Sequence, residues 1–205
     1  MALVKYNNNS ISAVTAAASI PSGAMTLIKT LTASSSGTLS FVNGSSDVVF
    51  DATYPIYKFN FINMHPETAD RELVFQGTTD GSNYNIAMTT TYFYAFHFEG
   101  GGNYFQYDTA RDQAQGTDFQ RISLPVRTDN DSSCSGELFI FNPSSTTFVK
   151  HFIARTSSYS QDSAEQDVYV AGYFNTTSAI TGMQFKQRTG NLGSGTIKLY
   201  GIKDS

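Results

Sequence analysis

Runs in which apolar and polar residues alternate with a period of two recur along this sequence, and they constrain its fold more than any other feature. In YKFNFINM, for example, Tyr57, Phe59 and Phe61 fall on one face of an extended strand. The polar residues Lys58 and Asn60 fall on the opposite face. No segment keeps its apolar residues at helical spacing over several turns, so the alternation predicts a chain built from strands.

Other runs of strand length are also rich in apolar residues, but they differ in whether one face or both faces are expected to be buried. FVKHFIAR and DVYVAGYF alternate, whereas TTYFYAFHF carries apolar residues on both faces. That last run therefore predicts a strand buried on both sides, in the middle of a sheet. Clusters of turn residues separate the runs: VNGSS, TTDGSN, EGGGN, TDNDSS, FNPSS and GNLGSG. Strands broken by such turns predict an all-β fold, an antiparallel β-sandwich that is jelly-roll-like.

Two segments depart from the strand pattern. The polar TARDQAQGTDFQ, residues 109–120, is the best helical candidate, and Gly116 within it limits the expectation to a short surface turn of helix. Residues 1–25 mix apolar residues with a run of asparagines and predict an extended N-terminal arm. No linker divides the rest, so residues 26–205 are expected to form a single β-sandwich domain.

Three similar stretches recur along the chain: SGTLSFVN from Ser36, SGELFIFN from Ser135 and SGTIKLYG from Ser194. Solenoids and propellers need one fixed period, and the spacings between these stretches are unequal, so they do not indicate a repeat protein. We interpret each as a Ser-Gly turn that leads into an alternating strand.

Charged side chains are scarce. They make up 15% of the residues, with a formal net charge of -4 and no run of Lys or Arg, which argues against a nucleic acid partner. No apolar run is long enough to span a bilayer, so no membrane partner is expected. Cys134 is the only cysteine, which excludes an intrachain disulfide and a cysteine-based zinc site.

The histidines are weak candidates for metal ligands. His65, His97 and His151 lie in three different segments. The stretch HFE, residues 97–99, is faintly similar to a cupin ligand pair but lacks the second histidine two residues away. A histidine within a strand is more often a satisfied core or partly exposed residue, so we expect no metal and no cofactor.

The loop TDNDSSCSGE offers a possible calcium site. Asp129, Asp131 and Ser133 stand at alternate positions, as in an EF-hand loop, which also requires Gly at its sixth position and an acidic residue at its twelfth. Here Cys134 is sixth and Glu137 is ninth. A polar loop between strands is the preferred interpretation, and a surface calcium bound by loop carbonyls stays open.

No motif indicates catalysis. Glu67, Asp70 and Glu72 lie close together in HPETADRE, but this is a loop that begins with a proline and contains Arg71, and charges solvated on a loop explain them well. A G-x-S-x-G elbow is absent, and EGGGN is not followed by the Lys-Ser/Thr of a phosphate-binding loop. We therefore expect that the chain is not an enzyme.

Glycan binding is the main functional alternative. β-Sandwiches can stack sugar rings on exposed aromatic side chains, and the chain has 12 Tyr and 16 Phe but no Trp. Loop tyrosines Tyr84, Tyr104 and Tyr159 would have to gather in one concave patch for this function.

Four longer stretches carry a resemblance to a known family. They are SGTLSFVNGSSDVVFDATYPIYKFNFINMHP, YDTARDQAQGTDFQ, SGELFIFNPSSTTFVKHFIA and AGYFNTTSAITGMQFKQRTGNLGSGTIKLYGI. Together they resemble virion structural proteins of tailed bacteriophages, especially marine ones, whose chains end in an SGTIKLYGI-type strand. The resemblance covers roughly residues 35 to 202, and its most specific elements are NPSS before FVKHF and the SGTIKLYGI ending.

The resemblance implies a virion component without a catalytic motif. The resemblance does not by itself separate head from tail. Our main hypothesis is a head decoration (cement) protein on the capsid exterior, and the alternative is a tail-associated fibre or baseplate-like protein that binds host glycan. Partners would be capsid or tail proteins, together with further copies of the chain in a symmetric oligomer, with a trimer as one option. The arm is expected to make the main intersubunit contact by adding a strand to a neighbour; its candidate contact residues are Leu3, Val4, Tyr6, Ile11 and Val14.

Overall fold

A computed structural model describes residues 24–159 and 163–203, and the arm residues named above lie outside this range. These residues form strands and connecting loops without an α-helix, so none of them lies in a helix that could cross a membrane. The strands are β1 (Met25–Thr32), β2 (Leu39–Val42), β3 (Ile56–Pro66), β4 (Leu73–Thr78), β5 (Met88–Phe98), β6 (Asn103–Tyr107), β7 (Ala114–Gly116), β8 (Gln120–Arg121), β9 (Cys134–Phe141), β10 (Lys150–Tyr159), β11 (Ala164–Phe174), β12 (Gly182–Gln187) and β13 (Leu192–Ile202).

The strands form two antiparallel sheets. The large sheet has the order β1-β13-β3-β9-β10-β11-β5-β6, and β7 pairs with the beginning of β5. The small sheet has the order β2-β12-β4-β8. The two sheets pack face to face, so the predicted all-β antiparallel sandwich is confirmed.

Two insertions make one sheet much wider than the other. Strands β5, β6 and β7 lie between β4 and β8 in the chain, and β10 and β11 lie between β9 and β12. All five join the large sheet beyond β9. The large sheet therefore continues past the four strands β1, β13, β3 and β9.

Aromatic side chains fill the space between the sheets. Phe185 on β12 lies 5.0 Å from Phe59 and 5.3 Å from Phe61 on β3, measured between ring centroids. Phe75 on β4 makes an edge contact of 5.1 Å with Phe152 on β10. All five rings are buried, and each such pair adds about 1 kcal/mol beyond the area it buries. The abundance of Phe in the sequence thus supplies the core that joins the sheets.

Strand β5 is not in the middle of its sheet, contrary to the sequence-based expectation. It lies next to the edge strand β6. Tyr92 and Tyr94 on one face are buried, whereas Phe93 is half-buried and His97 is exposed on the other. The aromatic residues of this run looked like a second core face because they pack against each other along the surface of the sheet.

The Ser-Gly stretches also differ from the prediction. Ser36 and Gly37 precede β2, as expected, but Ser135-Gly136 lies within β9 and Ser194-Gly195 lies within β13. Gly195 has a φ of 116° and sits where the register between β13 and β3 shifts, so it serves a bulge inside a strand. The segment 109–120, predicted to reach at most a turn of helix, contains turns and the short strand β7.

Candidate interaction surfaces

The face of the large sheet that points away from the small sheet, called the outer face below, carries a row of large side chains on neighbouring strands. Arg155, Tyr169, Phe93 and Tyr107 lie directly opposite one another on β10, β11, β5 and β6. The rings of Tyr169 and Phe93 are stacked with centroids 5.1 Å apart, and Phe105 lies 5.4 Å from Phe93. The row therefore leads from the middle of the sheet to its β6 edge.

Charge pairing holds one end of this row. Arg155 donates two hydrogen bonds to the Asp167 carboxylate, at 3.0 and 2.7 Å, and its guanidinium lies 4.9 Å from the centroid of the Tyr169 ring. The hydrogen bonds to Asp167 raise the pKa of Arg155 above its usual value. At the other end, Tyr107 donates to the Asp112 carboxylate at 2.6 Å, and this bond raises the pKa of the Tyr107 hydroxyl.

Strand β6 is exposed along its whole length, and among the described residues it is the last strand at this side of the sheet. Phe105 is 68% exposed, and Tyr104 and Tyr107 also rank among the large exposed side chains. Asp108 N donates to Tyr92 O, and Phe98 N donates to the Gly102 carbonyl. Because hydrogen-bonded and non-hydrogen-bonded pairs alternate in an antiparallel ladder, Asn103, Phe105 and Tyr107 direct their backbone N–H and C=O groups away from β5.

The other sheet edges differ from β6 in ways that restrict pairing. Strand β1 carries Lys29 and has a register shift between Leu27 and Lys29. Strands β2 and β8 have only four and two residues. Short edges, lysines and bulges all discourage the addition of another strand. Strand β6, with the sequence NYFQY, has no charge, no proline and no register shift.

A buried carboxylate forms the second notable site. Glu72, immediately before β4, is only 5% exposed, so the expectation that it is a solvated loop charge was wrong. Its oxygens lie 3.1 Å from Arg111 Nε, 3.6 Å from Arg121 Nε and 3.7 Å from Arg188 Nη1. Arg111 also pairs with Asp108. The three arginines come from three separate segments, which is why sequence proximity to Glu67 and Asp70 gave no indication of them.

These arginines line a cavity of about 360 Å³ on the outside of the small sheet. Its other cation, Lys186, lies 4.2 Å from the centroid of the Phe119 ring. Two carboxylates, Asp112 and Asp118, line the cavity, and two more, Glu72 and Asp108, pair with Arg111. Four cations therefore face four anions. The charges balance within the cluster, whose evident effect is to tie the loop before β8 to the sheet.

The histidines do not converge. His65 Nδ1 lies 2.7 Å from the Ser132 carbonyl, His97 lies opposite Glu165, and His151 packs against Tyr173. Within the described ranges, no group of three or more His, Cys, Asp or Glu side chains has the geometry to hold a metal ion.

The acidic side chains in and after the loop before β9 do not gather around one point, as a calcium site of the kind considered above would require. Glu137 is on the outer face of β9, where it pairs with Lys58 at 2.7 Å, whereas Asp131 and Ser133 line a polar cavity of about 480 Å³ beside His65. Cys134 is buried at the start of β9, and burial raises the pKa of its thiol to about 12. A thiol in this state is a packing group, not a nucleophile.

The three loop tyrosines do not form one patch. Tyr84 precedes β5 and packs near Phe119, with ring centroids 6.5 Å apart. Tyr104 stacks on Phe96, near the opposite end of β5. Phe96 lies about 26 Å along the strand from Met88, where β5 begins, at a rise of about 3.3 Å per residue. Tyr159 ends β10 and donates to Ser163. Phe105 and Tyr107, which sequence reasoning did not single out, are exposed on β6 together with Tyr104, and the uncharged NYFQY run was the available signal.

Comparison of the chain with protein-family models, with curated proteins and with solved structures found no match.

Proposed function

We propose that this chain is a non-enzymatic structural component of a tailed-phage virion, and specifically a head decoration (cement) protein that stabilises the capsid exterior. The proposal starts from the resemblance in the sequence, and the surfaces of the folded chain support it. A decoration protein acts by binding the assembled particle and not its dissociated parts, which stabilises the particle by mass action. It needs broad, weakly charged surfaces more than a pocket.

The strand order supports a jelly roll as the underlying fold. Strands β1, β13, β3 and β9 in one sheet face β2, β12, β4 and β8 in the other. This is the order produced when two Greek keys wind eight strands into two four-stranded sheets, an architecture found in many viral capsid proteins. The inserted strands β5, β6, β10 and β11 then extend one jelly-roll sheet sideways.

The observation that carries the proposal is the surface made by this extension. The outer face holds the aromatic row described above and the half-exposed Ile153 beside an apolar groove of about 500 Å³. Exposed apolar surface of this kind is typical of protein interaction sites. Its charged groups are mostly paired within the chain, as in Arg155–Asp167 and Lys58–Glu137, which leaves a surface suited to packing against protein.

The test is to locate the chain in purified particles of the phage that encodes it. We expect mass spectrometry to find the chain in a copy number that matches the symmetry of the head, and immunogold labelling of its C-terminus to mark the capsid. Particles that lack the chain should release DNA at a lower temperature, with wild-type particles as the control.

Two results would contradict this proposal. Absence of the chain from purified particles would exclude a virion role. Labelling confined to the tail would replace decoration of the head by a tail function, and binding to a host glycan array would then be the next measurement.

A further inference from the structure

We propose that β6 pairs with β6 of a second copy of this chain, antiparallel and about a two-fold axis at Phe105, so that the large sheets of two copies become continuous. The inference rests on the proposed structural function and deepens it, because it names the partner and the surface through which one subunit would join another. The contact is two-fold and closed, with the same strand on both sides.

The backbone of β6 has the donors and acceptors that this pairing requires. Asn103, Phe105 and Tyr107 direct their N–H and C=O groups to the free side of the strand, as the bonds of the flanking residues to β5 establish. With the axis at Phe105, each Phe105 faces its copy and each Asn103 faces Tyr107 of the other chain. Three hydrogen-bonded residue pairs then form between the two strands, each with two backbone hydrogen bonds.

The side chains of β6 fit a copy of themselves. The strand carries no charge, so pairing with itself creates no repulsion between like charges, even though the whole chain has a net charge of -4. Phe105 and Tyr107 stand on the outer face next to Phe93, so pairing would join the aromatic rows of the two copies. Aromatic pairs across antiparallel strands stabilise the pairing of those strands.

Differences among the edge strands of the two sheets explain why β6, and not another edge strand, would pair with a second copy. Strand β1 ends the same sheet at its other side and has Lys29 and a bulge, and the small sheet ends in strands too short to template a partner. Only β6, of the sheet edges in the described part of the chain, lacks each of these features. An exposed, uncharged edge with aromatic side chains is a site for strand addition.

The first experiment measures oligomeric state with a matched pair of variants. Phe105→Lys places a charge at the proposed axis, where two copies would face each other. Leu27→Lys places the same charge on the β1 edge at a residue that is 51% exposed, so neither substitution disturbs the core. By sedimentation at about 0.1–100 µM, we expect wild type and Leu27→Lys to dimerise, and Phe105→Lys to bind its copy at least tenfold more weakly.

The second experiment tests the register and does not depend on weakening the contact. Phe105→Cys should form a disulfide between two copies under mild oxidation, because Cα atoms of a hydrogen-bonded pair lie about 5.5 Å apart, within disulfide range. Cys134 is buried and does not compete for the crosslink. Leu27→Cys serves as the control and should stay monomeric on a denaturing gel.

Specific outcomes would overturn the inference. A wild-type chain that stays monomeric up to about 100 µM would do so, as would a dimer that Leu27→Lys disrupts as strongly as Phe105→Lys. Both experiments use the isolated protein, so they are independent of the particle measurements. A chain that dimerises through β6 but is absent from particles would contradict only the virion function, and a monomeric chain found on capsids would contradict only the edge pairing.

Discussion

At the scale of single residues, Glu72 shows how a charge that looks solvated in the sequence becomes part of the interior. Its carboxylate is shared by Arg111, Arg121 and Arg188, which reach it from three segments. Removing one partner from a buried ion cluster lowers the free energy of unfolding by more than the intact cluster adds to it, because the remaining charges keep their desolvation penalty.

Glu72→Gln tests this account of the cluster. The substitution keeps the shape of the side chain but leaves three guanidinium groups without their shared anion, so we expect the free energy of unfolding to fall by about 3 kcal/mol. Glu67→Gln, at an exposed glutamate that accepts a hydrogen bond from Ser35, should change it by less than about 0.5 kcal/mol. Urea unfolding followed by circular dichroism measures both, and equal effects of the two substitutions would contradict the proposed cost.

Two buried side chains predict a loss of stability in alkaline solution. Burial raises the pKa of Tyr57 from 10.0 to about 12 and that of Cys134 from 9.0 to about 12. Both pKa values are raised in the folded state, so the folded chain favours the neutral forms. The stability they provide is complete below about pH 9 and is lost as the pH rises toward 12.

The measurement is the free energy of unfolding between pH 8 and about pH 11. Tyr57→Phe removes one of the two groups and, with it, two hydrogen bonds to the backbone of Asp51. This variant should start less stable than wild type but decline less steeply above pH 10. A wild-type profile that stays flat through this range would show that neither group controls alkaline unfolding.

At the scale of strands, the alternation in the sequence was enough to predict β3, β10 and β11, and alternate residues of β10 are buried, as that pattern requires. The position of a strand within its sheet was not predictable in the same way. Strand β5 has apolar residues on both faces because Phe93 stacks on Tyr169 and packs against Phe105 at the surface. Local periodicity reports which residues share a face, and only tertiary pairing decides what covers that face.

Glycines within strands illustrate the same limit. Gly136 looked like part of a turn, yet it lies in β9 between β3 and β10. A Cβ added there would collide with the Arg155 carbonyl oxygen and lie 2.7 Å from Thr156 Cα. The backbone of β10 approaches this residue so closely that only glycine fits.

Gly136→Ala should therefore force β9 and β10 apart. We expect a loss of about 2 kcal/mol in the free energy of unfolding, the typical cost of overpacking. Gly100→Ala is the matched control, since a Cβ there meets no atom within 4 Å. Thermal unfolding of the two variants decides the matter: an unchanged midpoint for Gly136→Ala would show that the strands can shift without cost.

At the scale of the whole molecule, the sequence predicted the sandwich but neither the unequal widths of its sheets nor the site at β6. The wide sheet depends on two insertions, separated in the chain, that join side by side through β11 and β5. Pairing between strands so far apart leaves no trace in local periodicity. The same reason hid Glu72, because its three arginines lie 39 or more residues away in sequence.

The order of strands has a consequence for how the chain reaches its native state. Strand β13 is hydrogen-bonded between β1 and β3, and β12 between β2 and β4. The large sheet is therefore divided until β13 arrives, and the small sheet until β12 arrives. During synthesis, neither sheet can be completed before residues 182–202 have left the ribosome, so β1 and β2 wait without their partner strands, and folding is dominated by long-range pairing that is intrinsically slow. Exposed strands of this kind are where chaperones act and where aggregation begins.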